Sequence, residues 1–108
     1  MKKEELIELQ TNNTSVLILF FTATWCGPCK KIKPYIYDKL TTCSYPCYCL
    51  DVDENMEIYG ALRAKKQIRG VPTLLAFKKG NVSLIPDWSI SGANTTEIDY
   101  FFKSLTSI

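Results

Sequence analysis

Histidine is absent from the 108 residues, so a zinc site would have to be built from cysteine and carboxylate alone. The cysteines do not offer one. Cys26 and Cys29 form one CxxC, but Cys43, Cys47 and Cys49 form no second, which leaves the metal reading with half a site. Long apolar runs are also missing: the longest, Val16 to Phe21, is far short of the roughly 20 residues that a membrane span needs. No block of one charge stands out. Thirteen basic against eleven acidic residues leave +2, and Lys65-Lys66 and Lys78-Lys79 suit solvated positions better than a surface for nucleic acid or anionic lipid. Repeats and low-complexity tracts are lacking as well. The start, Met1-Lys2-Lys3-Glu4-Glu5, has acids where a secretory signal needs apolar residues. Five cysteines are an odd number. Together these features point to a reducing, cytoplasmic compartment in which a CxxC is catalytic. At 46% hydrophobic and 22% charged, residues 1–108 have the composition of a single globular domain.

The informative stretch is Trp25-Cys26-Gly27-Pro28-Cys29-Lys30. Before it, Val16 to Phe21 is a continuous apolar run rich in β-formers, the pattern of a strand covered on both faces. After it, Ile32, Ile36 and Leu40 recur every four residues, which predicts a helix over 30–40. Cys26 then lies at a helix N-terminus, where unpaired N–H groups and the helix dipole favour the thiolate. Cys29, one turn inside, is the natural resolving thiol: Cys26 attacks a disulfide and Cys29 attacks the resulting mixed disulfide. Gly27 allows the tight backbone path, and Pro28 suits the first helical turn.

The rest of the chain predicts a short helix over 2–10, a strand over 46–52, a helix over 56–67 and a strand over 74–77. After a turn at 78–81, a strand broken by Pro86-Asp87-Trp88 resumes at 89–92, and a last helix carries Ile98, Phe101, Phe102 and Leu105 inward. Cys47 and Cys49 share one side of their strand, too far apart for an unstrained bridge. They are expected to be small buried residues, the alternative being a redox-sensing thiol. For that role loop residue Cys43 is the better placed. Trp88 either covers its hairpin or contacts a partner.

Phe20 to Pro34, with its WCGPCK core, resembles the active-site segment of thioredoxins. Further matches follow in order at Val71-Pro72-Thr73 and Ser91-Gly92-Ala93-Asn94. The resemblance implies an α/β thioredoxin fold: three layers, α/β/α, around a mixed sheet of five strands, here four or, with a vestigial edge strand, five, because only Met1 and Lys2 precede the first helix; 46–52 is then an edge. It implies a cis Pro72, against an ordinary trans proline, and a substrate groove of Trp25, Gly27, Pro28, Val71, Pro72, Gly92 and Ala93. By the same resemblance the partners are protein disulfides and an NADPH-dependent thioredoxin reductase, and no cofactor is needed. The chain is expected to be a monomer, or a weak dimer through the edge strand or Cys43.

Two departures stand out. Thioredoxins usually bury an aspartate six residues before the first active-site cysteine, where this chain has Phe20, and a lysine in the next strand, where it has Cys49. Losing both members of a buried pair together spares the fold an unpaired charge; resolution by Cys29 is expected to be slower. The alternatives in function are a binding or assembly module on the same fold, and a disulfide oxidase or isomerase. Oxidising relatives more often carry histidine between the cysteines, and this chain has Gly-Pro.

Overall fold

A computed structural model describes residues 1–105. The apolar run becomes β1, Val16–Thr22, every residue of which is buried. At about 1.5–3 kcal/mol for each large apolar side chain removed from water, β1 is the strand the core forms around. It pairs in parallel with β2, Cys47–Asp51, and antiparallel with β3, Thr73–Lys78; β3 in turn pairs antiparallel with β4, Trp88–Ser91. The described residues form one mixed four-stranded sheet in the order β2-β1-β3-β4. The expectation of four strands holds.

Four helices cover the two faces. The helices α1, Lys3–Thr11, and α3, Met56–Ala64, supply Leu6, Ile58 and Leu62 to one core, together with Leu17, Leu19 and Phe21 of β1. The helices α2, Gly27–Thr42, and α4, Thr95–Leu105, supply Ile32, Ile36, Ile98, Phe101 and Leu105 to the other, together with Val16, Ile18 and Phe20. The alternation of β1 side chains between the two cores is the period-two geometry of a strand. Trp88 packs on the α2/α4 core; it covers its hairpin.

Several boundaries differ from those expected, most by one residue, and three have a visible cause. The α2 helix starts at Gly27 rather than Lys30, because Cys26 already caps it. The α3 helix stops at Ala64 rather than Gln67. Lys66 takes φ of 59°, its N–H bonds to Arg63 O, and the Gln67 N–H reaches back to Leu62 O. That pairing is a Schellman ending, which no glycine announces. The last strand begins at Trp88, its entry fixed by Asp87, whose carboxylate accepts from Lys78 N–H at 2.8 Å and Asn81 Nδ2 at 2.9 Å.

The free edge at β2 has a defined pattern. Ile18 N–H bonds to Pro46 O and Val52 N–H to Thr22 O, each at 2.9 Å. In a parallel ladder alternate residues face the partner, so Tyr48 and Leu50 direct their backbone groups at β1. Cys47 and Cys49 direct theirs outward. Among the described residues no strand pairs with that edge.

Candidate active site: the Cys26–Cys29 pair

The chain leaves the buried end of β1 and turns into α2 with Cys26 as its N-cap. Cys26 and Cys29 are joined as a disulfide, with Cα atoms 5.2 Å apart. The Cys26 sulfur also accepts the Cys29 N–H at 3.1 Å, one of the donors a helix start leaves unpaired. The two residues differ in access. Cys26 keeps 6% of its surface, while Cys29 keeps none and packs in the core with Phe21 and Leu75.

Two other segments reach the pair. Val71 O lies 3.7 Å from the Cys26 sulfur, and the Val71–Pro72 peptide bond is cis. Gly92 N–H bonds to Pro72 O at 2.9 Å, which ties the loop after β4 to the one before β3. Gly92 holds φ of +101°, a left-handed conformation that favours glycine. Thr73 Oγ1 adds bonds to Gly70 O at 2.6 Å and to Ser91 Oγ at 3.0 Å.

Around the disulfide, Trp25, Gly27, Pro28, Gly92 and Ala93 are exposed, Val71 is half-buried and Pro72 is buried. Residues from three distant stretches of sequence thus form one surface. Trp25 is 66% exposed and is steadied by its Nε1–H, which donates to Asp53 Oδ2 at 2.9 Å. A cleft of about 660 Å³ adjoins this surface and is lined by Pro28, Lys31, Ile32, Tyr35, Ala93 and Thr95. Asp53, Lys31, Tyr35 and Thr95 were not found from sequence. Lys31 and Tyr35, one turn apart on α2 beside Pro28, were open to discovery by helical spacing; the Trp25–Asp53 bond, spanning 28 residues, carried no local signal.

The other cysteines differ from expectation. Cys43, expected to be the exposed thiol, caps α2 and is half-buried against the α2/α4 core. Cys47 is half-buried, and Cys49, expected to be buried, is exposed. The reason is the edge: among the described residues no strand pairs beyond β2. Among the described residues no group of three or more His, Cys, Asp or Glu is placed to hold a metal ion.

A buried CxxC disulfide at a helix start, on a sheet with helices on both faces, defines a dithiol–disulfide exchange protein. Comparison with known proteins agrees: the family described as Thioredoxin matches residues 2–104. Thioredoxin from Equus caballus is 31% identical over 98 residues, covering 90% of this chain and 86% of that protein. Thioredoxin-1 from Saccharomyces cerevisiae is 44% identical over 68 residues, 60% of each. Among solved structures, the Schistosoma mansoni thioredoxin pre-protein superposes with a TM-score of 0.73 at 25% identity, covering 96% of this chain and 91% of that one. The chain belongs to the thioredoxin family, and it is a thiol–disulfide oxidoreductase of the protein-disulfide reductase type.

Proposed function

We propose that Cys26 is the attacking sulfur and Cys29 the resolving one. The observation that carries this assignment is the asymmetry of the pair: Cys26 caps α2, receives a backbone N–H on its sulfur and keeps 6% of its surface, while Cys29 keeps none. The reduced Cys26 thiolate attacks a protein disulfide, forming a mixed disulfide and releasing one substrate thiolate. Cys29, deprotonated, then attacks Cys26; the Cys26–Cys29 bond forms and the second substrate thiolate leaves. Two electrons have passed to the substrate.

Trp25, Gly27, Pro28, Val71, Pro72, Gly92 and Ala93 form the substrate surface in this reading. Val71 O offers an acceptor 3.7 Å from the sulfur, so an extended substrate segment can pair with the backbone there. Electrons return from NADPH through a thioredoxin reductase, in a cytoplasmic setting. No described helix is long and apolar enough to cross a membrane. The protein acts as a monomer or pairs weakly through the open β2 edge; half-buried Cys43 is poorly placed to be the cross-link.

Cys29→Ser tests the assignment of roles. Incubated with a disulfide-bonded protein such as insulin, the reduced variant is expected to accumulate a mixed disulfide on Cys26, whereas Cys26→Ser accumulates none. A stable adduct on Cys29 in Cys26→Ser, with none on Cys26 in Cys29→Ser, would reverse the roles.

A further inference from the structure

The cleft beside the Cys26–Cys29 surface plays no part in the exchange steps described above. It opens between α2 and the start of α4, holds about 660 Å³, and shares Pro28 and Ala93 with the surface around the disulfide. Lys31, Ile32 and Tyr35 of α2 and Thr95 of α4 complete its lining. Pro28, Ala93, the buried Ile32 and the Tyr35 ring give it an apolar body, with room for a bulky side chain of a bound segment.

Side-chain contacts brace one wall and leave one charge open. The Tyr35 hydroxyl donates to Asp99 Oδ1, which holds the ring between α2 and α4. The Lys39 ammonium pairs with the same oxygen at 3.0 Å and lies 5.5 Å from the Tyr35 centroid. Both groups that claim the Asp99 carboxylate therefore come from α2. Lys31 is placed differently: it is exposed, and among the described residues no carboxylate lies within ion-pair reach of it. An apolar cleft that carries an unpaired cation is complementary to an anionic group borne beside an apolar one.

We propose that this cleft is a specificity subsite for the segment flanking the disulfide of a protein substrate. A bulky apolar side chain of that segment packs against Pro28, Ile32 and Tyr35, and a neighbouring carboxylate pairs with Lys31. Lys31 is then a specificity-determining residue, which favours disulfides set among acidic and apolar residues. The proposal rests on the reading above, in which Cys26 attacks and Pro28 and Ala93 face the substrate; the bonds made and broken at Cys26 and Cys29 are the same for every substrate. An exposed ion pair is worth roughly two- to five-fold in rate, and salt screens it. That is the size of a preference among substrates, not of a requirement.

The test uses the reduced full chain and a series of peptides, each closed by one disulfide and carrying Leu-Glu or Leu-Gln at successive distances from one cysteine. Reduction is followed after acid quenching, and each rate is taken as the part lost in Cys26→Ser. At one placement the Leu-Glu peptide should be reduced roughly two- to five-fold faster than its Leu-Gln counterpart at low salt, with the ratio approaching one at high salt. Replacing that leucine by serine should slow the reaction. Lys31→Gln should bring the ratio to about one, and Lys31→Glu should invert it. Lys33→Gln makes the same charge change on α2 outside the cleft and should leave the ratio in place. Equal rates for Leu-Glu and Leu-Gln at every placement would overturn the subsite, as would a ratio that Lys33→Gln erases as fully as Lys31→Gln. Failure of the underlying reading looks different: no peptide would then be reduced at a rate that depends on Cys26, and the subsite would fall with it.

Discussion

Cys26 and Cys49 show how one residue type acquires different chemistry from its surroundings. Cys26 is shaped by backbone: a helix N-terminus places the Cys29 N–H on its sulfur, and a carbonyl from another loop approaches from the far side. Cys49 is shaped by side chains, those of Cys47, Tyr37 and Lys33, which against the upward push of burial lower its thiol to about 6. A thiolate is the reactive form, so a lowered pKa moves the reactivity profile to lower pH. With Cys26–Cys29 closed, the alkylation rate of Cys49 by iodoacetamide is expected to rise through pH 6 and level off above it, whereas an ordinary thiol continues to gain up to pH ~8.5. Tyr37→Phe removes a donor to the thiolate and should move the midpoint upward. A wild-type midpoint near that of an ordinary thiol would contradict this account.

At the scale of elements, much was legible in the sequence. The unbroken apolar run of β1, rich in β-formers, read as a strand buried on both faces, and the four-residue spacing of Ile32, Ile36 and Leu40 marked α2. Motifs at residues 25–29, 71–73 and 91–94 marked three loops that the fold brings together. What remained hidden depends on what lies across space. Which of Cys47 and Cys49 is covered depends on what packs over that face of β2, and the Trp25–Asp53 bond joins the start of α2 to the loop after β2. The end of α3 was hidden for another reason: Lys66 occupies a position that glycine usually fills. A non-glycine residue with left-handed backbone carries a cost of roughly 1 kcal/mol. Lys66→Gly is therefore expected to stabilise the protein by about 0.5–1 kcal/mol in urea unfolding, a gain moderated by the greater freedom of glycine in the unfolded chain. Destabilisation would show that the Lys66 side chain contributes more than its backbone costs.

For the whole molecule, the sheet works as a rigid platform with two differently finished ends. Where β1 gives way to α2, three loops converge on a disulfide whose Cys26 residue keeps slight exposure and whose Cys29 residue keeps none. At the open side, β2 carries unpaired backbone and an exposed thiol. Phe20 and Cys49 connect these regions to the chain's departure from its family: the interior gains a buried ring in place of a carboxylate, and the edge gains a thiol in place of a cation.

The central claim is that the Cys26–Cys29 dithiol turns over protein disulfides, and insulin reduction measures it most directly. The assay should be driven once by NADPH with a thioredoxin reductase and once by dithiothreitol, each beside the Cys26→Ser/Cys29→Ser variant. Wild-type protein is expected to accelerate insulin precipitation in both formats, and the double variant in neither. Wild-type protein that is folded yet no faster than dithiothreitol alone would contradict the account.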